Sequence, residues 1–187
     1  VVALDRDVHV TGLAEKLKNK FKSRFIFHNK KFSQLDLVTK TKFDAVIFDL
    51  GLSSIQLDDL SRGFSFKSKK ELNMSMGQTE QSAKKVLNSY SSKDLMDIIK
   101  TFGEEKEASK ISRNIVRERL KKQLNTTDEL VKIIQNSKKK NYKKKINEST
   151  KTFQALRIFV NKEVTELIQG IIKATQILKP GGKLIVV

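Results

Sequence analysis

Two aspartates close apolar runs in this sequence: Asp5 follows Val1-Val2-Ala3-Leu4, and Asp49 follows Ala45-Val46-Ile47-Phe48. Short apolar runs without polar alternation, separated by helical periodicity, mark strands buried on both faces of a parallel sheet. Ligands of such sheets bind beyond the carboxyl ends of the strands, so both carboxylates stand where a polar ligand is held. An acid after the second strand of a nucleotide-binding unit can accept hydrogen bonds from both hydroxyls of a ribose. Asp5 fits that role if one strand precedes Val1, and Asp7 reads as the cap of the following helix. Asp49 is followed by Gly51, which lets a ligand approach the backbone closely.

The elements that must position these acids can be read from the spacing of apolar residues. Val8 to Phe21 carries Leu13, Leu17 and Phe21 at helical spacing, Phe25–Phe27 reads as a second strand, and Phe32, Leu35 and Val38 suggest a short helical turn. From Gly51 to about Phe66 periodicity vanishes, giving a loop too long for a simple connector. Helices resume near Gln81, over 94–100, 104–121 and 129–135. Ser91-x-x-Asp94 and Thr126-x-x-Glu129 resemble capping boxes. One long helix is expected from about Thr150 to Leu178, with Phe153, Leu156, Val160, Val164, Leu167 and Ile171 as a single apolar stripe. Pro180-Gly181-Gly182 should end it, and Lys183–Val187 reads as a fourth strand. The sequence thus predicts an α/β fold, a Rossmann-like parallel sheet with an all-helical block inserted after the strand ending at Asp49. Both ends of the chain have strand character, so a truncated sheet is expected.

Composition narrows the chemistry. The 187 residues contain no cysteine and only two histidines, His9 and His28, which argues against disulfides, thiolate metal sites and His-rich metal sites. No apolar run approaches the ~20 residues of a membrane span, and the expectation is a soluble, cytoplasmic protein without a metal. The net charge is +17, from 38 basic and 21 acidic residues, which favors a polyanionic partner through counterion release. Only seven of the basic residues are Arg. A lysine bias also follows from genomic base composition, so charge alone does not decide. The run Lys138–Lys145 is a basic loop.

Val46-Ile47-Phe48-Asp49-Leu50 resembles the nucleophile strand of haloacid-dehalogenase-type phosphatases. That chemistry needs a second Asp two residues on, and Gly51 stands there. A nicotinamide dehydrogenase would share only the Rossmann layout. The wider pattern resembles another family. It runs through Leu4-Asp5-Arg6-Asp7, Phe43 to Asp59, Arg62-Gly63-Phe64-Ser65-Phe66, Leu72-Asn73-Met74-Ser75-Met76, Gly103-Glu104-Glu105, Lys151 to Glu163 and Leu178 to Gly182. Together these resemble the bacterial small-subunit ribosomal RNA cytosine-N4 methyltransferase family, in order and over nearly the whole chain.

The resemblance implies a methyltransferase core over 1–60 and 150–187, with a helical insertion for substrate recognition over 61–149. It implies S-adenosylmethionine as cofactor, contacted by Asp5, Phe32, Asp49 and Gln56, and small-subunit ribosomal RNA or the assembled subunit as partner. Phe32 could stack on adenine or pack in the core. Gln56 lies in a loop, away from any core periodicity, and reads as functional. Ser53 or Ser54, or the carbonyls of their loop, would accept hydrogen bonds from the target amine. Both serines could equally serve only to shape the turn. Arg157, Asn161, Lys143 and Lys144 are candidates to hold RNA, although Asn161 could also be a plain surface residue. The family's glycine-rich cofactor loop would precede Val1. Ile55 stands where the family has Pro, and Asn73 and Gly77 stand where it has Asp. These departures keep open a non-catalytic RNA-binding protein on the same fold.

Overall fold

A computed structural model describes residues 1–77, 79, 81–138 and 147–187. In chain order the elements are β1 (Val2–Leu4), α1 (Thr11–Phe21), β2 (Ile26–His28), α2 (Leu35–Val38), β3 (Phe43–Phe48), α3 (Ser54–Asp58), α4 (Ala83–Ser89), α5 (Ser92–Gly103), α6 (Ala108–Arg119), α7 (Thr127–Ser137), α8 (Thr150–Val160), α9 (Glu163–Ile177) and β4 (Leu178–Val186). The chain forms two compact units. The first comprises Val1–Gly51, Met76–Gln78 and Lys162–Val187, and the second comprises Leu52–Ser75 and Thr79–Asn161. Among the described residues no helix is long and apolar enough to cross a membrane.

In the first unit the strands pair in parallel, as their apolar runs predict. Val2 lies opposite Ile26 and Leu4 opposite His28; Val46 lies opposite Leu184 and Phe48 opposite Val186. The pairs remain two separate two-stranded sheets, where the sequence predicts one. One apolar cluster supports both. Leu35, Phe48 and Ala174 are buried at its center, with Leu4, Phe32, Val46 and Leu184 packed against it. The stripe expected on α1 is not buried: Leu13, Leu17 and Phe21 are exposed, and Ala14 alone is enclosed.

The long terminal helix divides in two. Asn161 ends α8, and Lys162 takes a left-handed backbone with φ 53° before α9 begins. The break resets the helical phase. α8 buries Phe153, Leu156 and Val160 as its stripe predicts. α9 instead buries Glu166, Gly170 and Ala174, one position off the expected Leu167 and Ile171, and Val164 and Ile171 stay exposed. At the far end Pro180-Gly181-Gly182 lies inside β4 rather than before it. The ladder jumps from Phe43–Leu178 to Ala45–Lys183, so these residues form the bulge of an irregular strand, where Pro and Gly are tolerated.

The second unit is helical, α3 to α8, around fully buried Leu72, Leu95, Ile99, Ile111, Ile134 and Leu156. The stretch expected as a loop after Gly51 contains α3 and a 3-10 turn at Leu60–Arg62. Both capping boxes form, at Ser91/Asp94 and Thr126/Glu129. Glu129 accepts from the backbone N–H of Asn125 at 2.8 Å and of Thr126 at 3.1 Å, and from Lys122 Nζ at 2.9 Å. Burial raises its pKa, but those donors outweigh burial and hold it down to about 2. A carboxyl whose folded pKa is depressed stabilises above its unfolded value of about 4.3, and the contribution fades as pH falls toward the folded value. Glu129→Gln should therefore lower the urea midpoint at neutral pH, and the gap to wild type should close between about pH 4 and pH 2. A gap independent of pH would show that the charge on Glu129 does not stabilise α7.

Candidate functional site

The end of β1 holds Asp5 by three contacts. Its N–H donates to the His28 carbonyl at 3.3 Å, its carbonyl accepts from Asn29 Nδ2 at 2.9 Å, and its Oδ1 accepts from the Asp7 N–H at 2.7 Å. The carboxylate is thus oriented at the strand's carboxyl end and remains partly exposed. Asp7 takes the capping role predicted for it. It is buried and accepts from the His9 N–H at 3.1 Å, which starts the turn at Val8–Val10.

Arg6, between the two acids, was not marked by sequence reasoning. Burial pulls its guanidinium below its ordinary pKa, against the fields of Glu166, Glu163, Asp5 and Asp7; an arginine stays charged regardless. It donates to the Gly77 carbonyl at 3.0 Å. Gly77 has φ 85°, and a Cβ there would meet the Arg6 carbonyl at 3.1 Å. The backbone conformation at 77 therefore favors the glycine that stands there.

Asp49 is exposed just beyond buried Phe48. The chain stays in register past it: Val187 N–H donates to the Phe48 carbonyl at 2.9 Å and Leu50 N–H to the Val187 carbonyl at 3.0 Å. Gly51 follows with φ 106°, a conformation that L side chains rarely adopt. Phe32 lies 5.1 Å from the Phe48 ring, and its edge occupies the space beside Gly170, where a Cβ would come within 2.5 Å of it. The ring is half-buried, so it is part of the core and still offers surface. Leu4 and Phe48, which immediately precede the two acids, pack with Phe32 around one cluster.

Glu166, in the first turn of α9, is the second residue that sequence reasoning missed. Its Oε1 lies 3.4 Å from Lys31 Nζ. Its Oε2 is buried without a hydrogen-bond partner among the described residues. A buried carboxylate oxygen left without a donor is costly, and a polar or cationic ligand would supply one. The first unit therefore offers an oriented, partly exposed carboxylate, a half-buried aromatic ring, and a buried acid able to accept from an ammonium group. That set fits S-adenosylmethionine. Spacing did not mark Glu166, because the expected helix runs unbroken from Thr150 to Leu178 and places Leu167 instead on its buried face.

The remaining candidates belong to the second unit. Ser53 and Gln56 cap each other: Gln56 N–H donates to Ser53 Oγ at 3.3 Å, and Ser53 N–H to Gln56 Oε1 at 3.1 Å. Gln56 is buried, so its reading as an open loop residue is corrected. Ser54 is exposed as the first residue of α3. Arg157 is half-buried on α8. Lys143 and Lys144 lie outside the described residues. Asn161 is buried rather than on the surface. Its Nδ2 donates to the carbonyls of Met74 at 2.8 Å and Arg157 at 2.9 Å. Met74 is itself fully buried with φ 58°, and its N–H donates to the Arg62 carbonyl at 2.9 Å. Arg62 donates in turn to the Ser75 carbonyl at 3.0 Å. These bonds pin 74–75 in an uncommon backbone conformation. Asn161→Ala removes the donor to the buried Met74 carbonyl and should cost about 1–3 kcal/mol in urea unfolding. An unchanged midpoint would mean that Asn161 does not hold this segment.

Comparison with known proteins identifies the relatives of this chain. The model of the MraW methylase family matches residues 1–187. A protein of Ehrlichia canis (strain Jake) named ribosomal RNA small subunit methyltransferase H is 42% identical over 192 residues, covering 100% of this chain and 65% of that protein. The protein of the same name from Bartonella tribocorum is 43% identical over 187 residues, covering 100% of this chain and 56% of its own length. The corresponding protein of Orientia tsutsugamushi (strain Ikeda) is 41% identical, with 62% of its length covered. The chain thus spans between about half and two thirds of these relatives. On the strength of a match running along its whole length, this chain belongs to the MraW methylase family.

Proposed function

We propose that this chain carries the core of an enzyme that transfers a methyl group from S-adenosylmethionine to the exocyclic N4 of a cytidine in small-subunit ribosomal RNA. The observation that supports it most is that Leu4 and Phe48, the residues before Asp5 and Asp49, pack with Phe32 in one apolar cluster in a chain of this family. The names of the relatives supply the substrate class.

Asp5 would accept from the ribose hydroxyls, with the Asp7 N–H fixing its carboxylate. The open surface of Phe32 would meet the adenine, and Asp49 would bind at the end of β3. When bound, the cofactor supplies a methyl group on a sulfonium center, ready for displacement. Cytosine N4 is a poor nucleophile because its lone pair is delocalised into the ring, so positioning carries most of the work. Hydrogen-bond acceptors aimed at the N4 hydrogens favor a tetrahedral nitrogen and stabilise its developing charge. Ser54 and the carbonyls of 49–54 are our candidates. Ser53 and Gln56 hold the turn that presents them through their mutual cap.

The second unit reads as an inserted helical subdomain for substrate recognition. Arg157, Lys143 and Lys144 would meet RNA, contacts that position without reading sequence, while Asn161 holds Met74 in place. The target base must leave its stack to react.

Asp5→Ala in the full-length protein should weaken S-adenosylmethionine binding by roughly tenfold or more, since hydrogen bonds to a charged group are worth ~1.5–3 kcal/mol each. Titration calorimetry on a variant with unchanged circular dichroism measures it. Normal affinity would refute the ribose assignment. Transfer of labeled methyl to small subunits by wild type, absent in Asp5→Ala, would favor the enzyme over a non-catalytic RNA binder.

A further inference from the structure

Resting on the RNA substrate proposed above, we infer that the outer face of α6 is a docking surface for the RNA phosphate backbone. Lys106, Lys110, Arg113, Arg117 and Lys121 recur at steps of four, three, four and four. That spacing keeps them on one side of a helix and its two flanking turns. All five are exposed. The opposite side of α6 packs through Ala108, Ile111, Ser112 and Ile115, each at most 2% exposed. The cationic face is therefore fixed outward by the same burial that holds the helix. Within α6, Lys110 to Arg117 covers roughly 10 Å of axis at 1.5 Å per residue.

The type of cation is the second observation. Seven of the 38 basic residues are Arg, and three of them are tied to distant backbone carbonyls. Arg6 donates to Gly77, Arg62 to Ser75, and Arg119 to the Leu87 carbonyl. Of the three exposed Arg, Arg24, Arg113 and Arg117, the last two stand one turn apart on this face. Guanidinium matches phosphate oxygens with a planar fork, which an ammonium cannot do. Acids do not cancel the face. Glu107 and Glu118 flank it, and Glu118 engages Arg117 at 3.2 Å and Lys121 at 3.0 Å. Exposed pairs of this kind are weak and can give way to phosphate.

The test replaces Lys110, Arg113 and Arg117 by Gln in the full-length protein. A control replaces Lys16, Lys18 and Lys20 of α1 by Gln, removing the same charge from another exposed surface. Binding to a small-subunit RNA fragment is measured from 50 to 200 mM salt. Each lost phosphate contact should flatten the log K versus log salt slope by about 0.7–0.9. The α6 variant should thus be shallower than wild type by roughly 2 to 3, and the control unchanged. Equal flattening in both variants would overturn the proposal in favor of diffuse attraction. A loss seen only with assembled subunits and not with naked RNA would overturn it in favor of a protein contact. Wild-type methylation with an unaltered α6 slope would refute this surface alone. Absence of both RNA binding and methylation in wild type would refute the underlying function as well.

Discussion

The burial of Phe48 is the constraint on which the first unit depends. Its ring packs on Phe32, and both rings fill the gap left by the missing side chain of Gly170 on α9. That contact anchors the end of β3, and hence the position of Asp49 just beyond it. Leu4 joins the same cluster from β1, so the exit of Asp5 is set by the same apolar contacts. Two acids separated by over forty residues are thereby tied to one cluster. Fully burying side chains of this size contributes on the order of 1.5–3 kcal/mol each, ample to outweigh the cost of leaving a few polar groups poorly satisfied nearby.

One such group is Glu166. It sits on the buried side of α9, in line with Gly170 and Ala174, at a position that packing alone would give to an apolar residue. Its electrostatic surroundings are Lys31 and Arg6, so it belongs to a charged layer next to the apolar one. Replacing a buried charge by an apolar residue is often neutral or stabilising. A carboxylate kept there with one oxygen lacking a donor is therefore better explained by a ligand than by stability. The same layer holds Gly77 through Arg6, and the positive φ at 77 gives a backbone reason for the glycine there.

What the sequence made legible was local. The Ser91 and Thr126 boxes formed because a cap needs only its own turn, and the parallel strands formed where uninterrupted apolar runs announced them. The acids after β1 and β3 were legible for the same reason. The division of the long helix was not, because Lys162 adopts a left-handed backbone that lysine does not advertise, and the shift of the buried face of α9 follows from it. Gln56 and Asn161 read as open polar residues, yet both are buried with their amides engaged. For Gln56 the signal was local, a Ser-x-x-Gln capping box with Ser53, but a polar residue whose partner lies far along the chain cannot be assigned from spacing. Asn161 and Met74 are 87 positions apart.

We propose that this fold holds S-adenosylmethionine so as to methylate a cytosine amine in ribosomal RNA. The most direct measurement is mass-spectrometric mapping of small-subunit RNA after incubation with the full-length protein and the cofactor. A single cytidine should gain one methyl group on N4. Methylation at a ring carbon or a ribose, or RNA bound with no methyl gained, would contradict it.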